Sequence, residues 1–392
     1  MSGRFAKLDS ATCVVGVIGG GQLGRMLVLV ARRMGLRTVV WTGGREAPAA
    51  AVADEVIDLS FDDPAAVARF CGVATVATVE FENIPVTILE AVADRIPLHP
   101  SPQAIGVCQH RMNEKRFLRE HGIPCAPFAE VGDAVELASA MRGIGTPSVL
   151  KTTSFGYDGS GQVKLEGGED AAAVWSAFGS PQGVLEAWIP FEKELSVMVM
   201  RDATGASVTY EPSENRHRGH ILDVSIVPAR IPQSIAGEAR AIACRIAAAL
   251  DYRGILGVEF FLTRDGALLV NEMAPRPHNS GHFTMDACET SQFDQQLRLV
   301  LGLPAGSVRL HTPVVMLNLL GDLWPRDGAE PDWSPLFADG RAVLHLYGKT
   351  RAHERRKMGH VNVLGDDVGD ALRRAEQLKR AWLGAAGHAD AS

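Results

Sequence analysis

Two glutamates thirteen residues apart, Glu259 and Glu272, are the residues of this chain with the clearest chemical potential. Each follows a short apolar run that is typical of a β-strand. Two carboxylates on neighbouring strands are costly in a protein interior unless a cation lies between them. Mg²⁺ suits such a position because it takes oxygen ligands and keeps coordination sites for nucleotide phosphates. The pair therefore predicts a magnesium-nucleotide site in an ATP-using enzyme.

Two polar segments accompany this pair. The first contains Arg276, His278 and Asn279 and is too rich in such residues to be an ordinary loop. The second, residues 349–360, contains five lysine or arginine residues within nine positions. In a chain of net charge −7 this concentration of positive charge predicts a clamp for a substrate phosphate, although a solvated charged surface would give the same pattern.

A glycine-rich loop, residues 155–162, follows a strand that ends near Lys151. The backbone amides of such a loop can close over phosphates, and the basic strand end favours this interpretation over a flexible hairpin tip. Residues 186–189, followed by Glu194, fit either an edge strand or a hinge whose backbone reads adenine while a carboxylate holds the ribose.

Near the N-terminus, Gly19, Gly21 and Gly24 form a Gly-x-Gly-x-x-Gly element between a strand and a helix. Such an element can bind an anion at the helix N-terminus. A nicotinamide dinucleotide is disfavoured because the second strand is not followed directly by an acidic residue, the first being Glu46 beyond the turn. Two interpretations of the glycine element remain. It could be a tight structural turn, or it could bind a phosphate or ribose of another ligand near Gln22 and Leu23.

Glu80 and Glu82 follow the last strand of this region and alternate onto one face. Loops at the carboxyl ends of parallel strands line ligand crevices, so these acids are candidates for substrate contact. Solvated acids at a strand end are the alternative.

Alternating strands and helices from about residue 12 to about residue 105 predict a parallel sheet. We predict three domains: residues 1–105, residues 106–305 with a lid at about 125–190, and residues 306–392. The tail after about residue 384 is expected to be disordered because it has little to pack.

The composition narrows the class of protein. Hydrophobic residues make up 46% and charged residues 22% of the 392 residues, as in ordinary globular proteins. The net charge gives no field that favours nucleic acid or an anionic membrane, and the chain has no apolar run long enough to span a bilayer. Six scattered cysteines and an N-terminus without a signal-like apolar run predict reduced thiols and a cytoplasmic location.

The order and spacing of these features resemble the ATP-grasp superfamily: a strand lysine, a glycine-rich loop, a Glu-x-x-Ile segment and two late glutamates. Within it the chain, from about residue 13 to 365, resembles the N5-carboxyaminoimidazole ribonucleotide synthetases, ATP-dependent carboxylases of purine biosynthesis. The most specific matches are His278-Asn279-Ser280-Gly281-His282 and Arg356-Lys357-Met358-Gly359-His360.

The resemblance implies an α/β and α+β, three-domain ATP-grasp architecture. An N-terminal Rossmann-like parallel sheet would be followed by a central ATP-grasp domain and a small C-terminal β-rich module. The implied reaction is carboxylation of 5-aminoimidazole ribonucleotide via carboxyphosphate, with ATP and Mg²⁺ as cofactors and bicarbonate as co-substrate. A homodimer is also expected from the resemblance.

The resemblance further implies residue roles. The ATP site would comprise Arg111, Lys151, Gly156, Tyr157, Asp158, Gly159, Ser160, Gly161, Gln162, Glu186, Ala187, Trp188, Ile189, Glu194, His217, Asn271 and Glu272. The ribonucleotide would contact Gln22, Leu23, Glu80 (or Glu82), Asp158, Asn279, Lys349 and Arg356. Glu259 and Glu272 would hold magnesium. The catalytic set would be Asp158, Arg276, His278, Asn279, Lys349 and Arg356, with Arg276 and His278 holding bicarbonate or the departing phosphate.

Two positions depart from the family pattern. Ser160 stands where an arginine is usual in the glycine-rich loop, which removes one cation near the substrate. The residues around His217 also differ slightly, which weakens its assignment. Competing interpretations are another ATP-grasp carboxylase such as a biotin carboxylase, a formate-dependent glycinamide ribonucleotide transformylase, a nicotinamide oxidoreductase and a non-catalytic nucleotide-binding module.

Overall fold

The computed structural model describes residues 8–153, 161–325 and 329–389. Most of the predicted phosphate loop lies outside the described residues, namely Gly156, Tyr157, Asp158, Gly159 and Ser160. The strand before the loop and the strand after it are both described.

The first part of the chain forms a parallel sheet with order β3-β2-β1-β4. Its elements and the helices that follow are β1 (Val14–Ile18), α1 (Gln22–Arg33), β2 (Arg37–Trp41), β3 (Glu55–Ile57), α2 (Ala66–Val73), β4 (Val76–Val79), α3 (Val86–Ala93), α4 (Pro102–Gln109) and α5 (Arg111–Glu120). Every residue of β1 is buried, as expected for a parallel strand covered on both faces. The predicted N-terminal parallel sheet is confirmed.

A small antiparallel sheet with order β5-β8-β6-β7 comes next. Its elements are β5 (Phe128–Val131), α6 (Ala134–Ile144), β6 (Ser148–Thr152), β7 (Gln162–Leu165), α7 (Ala171–Phe178) and β8 (Gly183–Ala187). Glu186 of β8 lies opposite Val149 of β6, and Lys151 follows Val149 by two residues in β6. Lys151 and Glu186 therefore project from one face of this sheet, close enough to interact.

The central sheet begins with strands in the order β14-β13-β9-β11-β12. Its elements are β9 (Phe191–Arg201), β10 (Ser207–Thr209), β11 (Ser213–Arg218), β12 (Ile221–Val227), α8 (Gln233–Ala249), β13 (Gly254–Thr263), β14 (Leu268–Ala274), a 3₁₀ turn (Asn279–Gly281), α9 (Thr284–Ala287) and α10 (Gln292–Val300). Antiparallel pairing of β13 with β14 places Glu259 directly opposite Glu272. The pairing of these two strands creates the predicted carboxylate pair.

The C-terminal strands extend this same sheet, because β15 pairs with β12 and the order continues β15-β17-β16. The elements are β15 (Val314–Leu320), a 3₁₀ turn (Gly321–Leu323), α11 (Ser334–Ala338), β16 (Ala342–Leu346), β17 (Lys357–Leu364) and α12 (Val368–Ala389). The predicted boundary near residue 305 therefore crosses a continuous sheet.

Two further features belong to the C-terminal part of the chain. The basic segment 349–360 runs into strand β17, which begins at Lys357. Helix α12 continues to Ala389, beyond residue 384, where a disordered tail is expected. The helix is anchored by Trp382, whose buried ring lies against Trp333. In the described parts of the chain, the helices lack the length and apolarity needed to cross a membrane.

Candidate active site

A cavity of about 810 Å³ is bordered by all three sheets. Gln22, Leu23 and Glu80 line it from the N-terminal sheet, and the small sheet contributes residues from β6 and β8. The central sheet contributes the two glutamates of β13 and β14. Residues that are far apart in the sequence therefore share one chamber.

The carboxylate pair occupies one wall of this cavity. Glu259 and Glu272 are register partners, and the side chain of Glu272 is 48% exposed. Burial and the neighbouring charge of Glu272 raise the pKa of Glu259 to about 7. Two carboxylates whose charges oppose each other suit a divalent cation, which would relieve this repulsion. In the described part of the chain no three acidic, histidine or cysteine side chains cluster as a metal site, so a cation here would need further ligands from phosphate or water.

Glu186 lies at the centre of a cluster of three cations. Its carboxylate is 3.2 Å from Arg111, 3.3 Å from Lys115 and 3.2 Å from Lys151. Burial alone would raise the pKa of Glu186, but the three cations lower it well below its usual range. Burial has the opposite effect on a lysine, because it disfavours the positive charge, and it lowers the pKa of Lys151 to about 8. The Glu186 side chain therefore organises the predicted phosphate-binding cations, and a base would have to be contacted by the backbone of residues 186–189 or by the side chains of Ala187, Trp188 and Ile189.

Two residues of helix α5 were missed by the sequence analysis. Lys115 is fully buried, pairs with Glu186 and lies 3.5 Å from the carbonyl oxygen of Asn271. Glu114 accepts a hydrogen bond from the backbone N–H of Met273, next to Glu272, and burial raises the pKa of Glu114 to about 8. The available signal was helical spacing, because Lys115 follows Arg111 by four residues and lies on the same face.

The remaining predicted nucleotide residues line the same cavity. They are Gln162, Ala187, Trp188, Ile189, Glu194, His217 and Asn271, whereas Gly161 does not line it. His217 Nδ1 lies 2.7 Å from a carboxylate oxygen of Glu194. Burial opposes charge on His217, but Glu194 and Glu259 outweigh it and raise the pKa of His217. Aromatic rings of Phe191 and Phe261, stacked 4.6 Å apart, add an apolar surface that sequence reasoning did not identify.

The glycine element near the N-terminus is occupied by a side chain of the protein itself. Glu80 accepts hydrogen bonds from the backbone N–H of Gly21 at 2.8 Å and of Gly24 at 3.1 Å. A Cβ atom at Gly21 would lie 2.6 Å from the Glu80 carboxylate. The glycines thus permit the carboxylate to approach the start of α1, where an anion is stabilised. This geometry supports the structural-turn interpretation, with Gln22 and Leu23 still facing the cavity.

Glu82 and Arg276 form a bidentate ion pair. Arg276 donates from Nε to one oxygen of Glu82 and from Nη2 to the other at 3.0 Å. The pair joins the loop after β4 to the segment after β14. One edge of the Arg276 guanidinium is therefore bonded to Glu82. Both oxygens of Glu82 accept hydrogen bonds from Arg276, which makes this carboxylate a weaker candidate for binding a substrate hydroxyl group.

Asn279 and His278 lie beside the carboxylate pair. Both polar atoms of the Asn279 amide are buried without a hydrogen-bond partner among the described residues. Such a group is costly unless a ligand satisfies it, and Asn279 lines the cavity. His278 contacts Ser280 through Nδ1 at 2.8 Å and lies 3.5 Å from Glu259 through Nε2. Burial, with neighbouring cations, lowers the pKa of His278 well below its usual value.

The predicted phosphate-clamp residues border the N-terminal domain but are not among the lining residues of the cavity. Lys349 donates to the carbonyl oxygen of Lys357 at 2.7 Å, and Arg356 pairs with Glu46 at 2.7 Å. Burial, together with the nearby charge of Arg356, lowers the pKa of Lys349 to about 8. Lys357 does line the cavity, so the basic segment reaches the chamber through a residue that the sequence analysis did not single out.

Known protein families match the chain in the order of its three regions. The ribonucleotide synthetase preATP-grasp domain matches residues 12–109, and the ATP-grasp domain matches residues 116–293. The phosphoribosylaminoimidazole carboxylase C-terminal domain matches residues 314–374.

Individual relatives resemble nearly the whole chain. The N5-carboxyaminoimidazole ribonucleotide synthase of Brucella melitensis biotype 1 is 43% identical over 349 residues, which cover 88% of this chain and 95% of the relative. A solved N5-carboxyaminoimidazole ribonucleotide synthetase in complex with ADP has a TM-score of 0.87 and 41% identity, and covers 94% of this chain and 96% of its own. The Aspergillus clavatus enzyme, solved with ADP and 5-aminoimidazole ribonucleotide, has a TM-score of 0.86 and 32% identity over 95% and 98% of the two chains.

Proposed function

The chain belongs to the N5-carboxyaminoimidazole ribonucleotide synthase family of ATP-grasp proteins, and from this premise we propose that it carboxylates 5-aminoimidazole ribonucleotide at the expense of ATP. The observation that carries the proposal is the single cavity that joins the Glu259–Glu272 pair, the Glu186 cation cluster and the unsatisfied Asn279 amide. The three features fit a metal, a polyphosphate and a polar second substrate.

The nucleotide would occupy the side of the cavity nearest the small sheet. Lys151 and Arg111 would bind its phosphates, and the backbone of residues 186–189 would face its base. The Glu194–His217 pair, which lines the same side, offers a carboxylate for the ribose. Residues 156–160, which the sequence also predicts to bind ATP, lie outside the described residues.

Magnesium would be held by Glu259 and Glu272, with Asn271 alongside. Their oxygen donors are the type that Mg²⁺ prefers, and two carboxylates leave room for phosphate and water ligands. When bound, the ion would neutralise charge that develops during phosphoryl transfer.

The reaction requires two bond changes. An oxygen of bicarbonate attacks the γ-phosphorus while the bond to the bridging oxygen of ADP breaks, which gives carboxyphosphate and ADP. The exocyclic amine of the ribonucleotide then attacks the carboxyl carbon, the bond from that carbon to the phosphate oxygen breaks, and the departing phosphate accepts the proton that the amine loses. Lys151 would stabilise the transferred charge, and the reactive intermediate would have to be kept from water between the two steps.

The ribonucleotide would bind where Asn279 and Gln22 face the cavity, with its phosphate toward Lys349 and Arg356. Asn279 is best supported because both of its amide atoms need a partner. Glu80 would act mainly by holding the start of α1, from which Gln22 projects. His278 lies 3.5 Å from Glu259 and is partly exposed, and it would hold bicarbonate or the departing phosphate. Asp158, which the sequence predicts to contact the ribonucleotide, lies outside the described residues.

We expect ADP to form at an appreciable rate only when 5-aminoimidazole ribonucleotide and bicarbonate are both present. A coupled assay for ADP, run with each reactant omitted in turn, measures this dependence. Biotin or formate with glycinamide ribonucleotide should not replace the substrates. ADP formation with biotin in place of the ribonucleotide would instead favour a biotin carboxylase.

Lys115→Met is expected to raise KM for ATP roughly 10- to 100-fold, the range that corresponds to about 1.5–3 kcal/mol for a hydrogen bond to a charged group. With Lys115 absent, Glu186 depends on Arg111 and Lys151 alone and competes with the phosphates for both. KM for the ribonucleotide should change little because Lys115 acts through Glu186, whose cation partners are proposed to bind the nucleotide phosphates. Initial rates with one substrate varied at saturating levels of the others give the two constants.

Lys193→Met is the matched control, since Lys193 also pairs with a glutamate, at 2.9 Å, but that glutamate is Glu214 and not the cavity-lining Glu186. It should leave KM for ATP unchanged. An equal rise of KM in both variants would indicate general destabilisation and contradict the proposed role of Lys115.

We also propose that the enzyme works in the cytoplasm as a homodimer. All six cysteines are free in the structure, which suits a reducing compartment. Size-exclusion chromatography with light scattering measures the assembly state.

A further inference from the structure

A buried glutamine, Gln292, forms hydrogen bonds with the backbone of His278 and with the ring of His282. Gln292 is the first residue of α10 and is fully buried. Its Oε1 accepts the backbone N–H of His278 at 2.9 Å, and its Nε2 donates to the backbone carbonyl of His278 at 2.8 Å. A backbone N–H can only donate and a carbonyl can only accept, so these two bonds fix the orientation of the amide.

The fixed amide determines the protonation of His282. The Nε2 of Gln292 also lies 2.9 Å from Nδ1 of His282, and an amide nitrogen can only donate. Nδ1 of His282 must therefore carry a lone pair, and the proton of the neutral ring must reside on Nε2. Burial, with nearby positive charge, lowers the pKa of His282 well below its usual value, which agrees with a neutral ring.

His282 lines the cavity, although it is 1% exposed. Since Nδ1 is occupied by Gln292, Nε2 is the ring nitrogen left to face a bound molecule. The charged groups that act on His282 include Lys357 and Arg276, both of which also line the cavity. A region with these cations attracts an anionic oxygen, and an N–H donor there would bind one directly.

We propose that Gln292 is a positioning residue that holds His282 as the Nε2–H tautomer, and that His282 donates a hydrogen bond to an anionic oxygen of a substrate in the cavity. The oxygen belongs to the carboxyl reactant or to the ribonucleotide phosphate. The identity of these two candidate acceptors rests on the proposed function. The assignment of the His282 tautomer rests only on the hydrogen bonds of Gln292.

Gln292→Glu tests the proposal, because a carboxylate cannot donate to Nδ1 and forces that nitrogen to carry a proton. Nitrogen-15 NMR of the protein labelled at histidine reports which ring nitrogen is protonated, with the His282 signals assigned by their loss in His282→Gln. We expect Nε2–H in the wild type, and a proton on Nδ1 with a fall in kcat/KM of about 10- to 100-fold in the variant.

Gln295→Glu is the matched control. Gln295 is buried in the same helix and also exchanges two hydrogen bonds with the backbone, at Gly306, both 2.8 Å long. It does not line the cavity, so it should leave the His282 tautomer unchanged. If Gln292→Glu does not fold, His282→Gln, which keeps an N–H donor, should retain more activity than His282→Leu.

Varying bicarbonate and ribonucleotide separately distinguishes the two acceptors. A fall confined to kcat/KM for bicarbonate assigns the acceptor to the carboxyl reactant, and a fall confined to the ribonucleotide assigns it to the phosphate. A wild-type ring with its proton on Nδ1, or a changed tautomer with both constants unaffected, would overturn the proposal. A wild type without any activity toward the ribonucleotide would instead refute the proposed function, while the NMR result would stand.

Discussion

Glu272→Ala is expected to lower the bicarbonate-dependent rate of ADP formation at least about a thousandfold, which corresponds to about 4 kcal/mol of transition-state stabilisation. Glu259 and Glu272 are direct partners across β13 and β14, and they supply the only paired carboxylates that we assign to magnesium. Loss of one leaves too few protein oxygens to hold the ion against its hydration shell. Steady-state ADP formation at increasing Mg²⁺ measures the effect.

The variant should remain folded, because the Glu272 side chain is 48% exposed and its neighbour Arg111 has a second carboxylate partner. Arg111, its neighbour at 3.7 Å, keeps its bond to Glu186. The thermal unfolding midpoint should therefore stay close to that of the wild type.

Glu238→Ala, at an exposed position of α8, is the control for a simple loss of charge. It should leave the rate unchanged. Near-normal turnover of a folded Glu272→Ala enzyme would remove the metal assignment.

Lys349→Met and Arg356→Met are expected to raise KM for the ribonucleotide roughly 10- to 100-fold and KM for ATP much less, since each removes a charge-assisted hydrogen bond to a phosphate. Lys349 lies under the electrostatic influence of Glu80, which faces the predicted ribonucleotide end of the cavity. Arg356 would have to exchange its ion pair with Glu46 for the phosphate. Initial-rate kinetics with each substrate varied separately measures the difference, and equal effects on both constants would count against the clamp.

The pH dependence gives a second measure of the Lys349 role. The pKa of Lys349 is lowered to about 8 by burial and by Arg356, so the free enzyme loses this charge as the pH rises through 8. At saturating ATP, kcat/KM for the ribonucleotide should therefore fall above about pH 8, because that constant reports ionisation of the enzyme form to which the ribonucleotide binds. Lys349→Arg keeps its charge over this range and should abolish the fall. The same alkaline decline in that variant would assign the titration to another group.

Several features of the site could be predicted because they depend on neighbours in the sequence. Apolar alternation placed Glu259 and Glu272 on strands, and the strand-loop pattern placed Lys151 before a glycine-rich segment. The parallel N-terminal sheet followed from the alternation of strands and helices.

Other features could not be predicted because a hydrogen bond between distant residues determines them. The sequence offered Glu80 and Glu82 as equivalent candidates for substrate contact. The fold pairs Glu80 with a glycine 59 residues away and Glu82 with an arginine 194 residues away. Each bond satisfies a buried carboxylate, so each reduces what that carboxylate offers to a ligand.

Local sequence patterns predict a carboxylate pair suited to a metal, cations suited to phosphates and the segments that match one family of ATP-grasp proteins. The folded arrangement shows which of these charges already have partners within the protein. It assigned Glu186 to a cluster of three cations, revealed Lys115 behind it, and fixed the tautomer of His282 through Gln292. The physical reason is that local sequence patterns set where a side chain lies along a strand or helix. The ionisation and hydrogen bonding of that side chain depend instead on partners that only folding brings within about 3 Å.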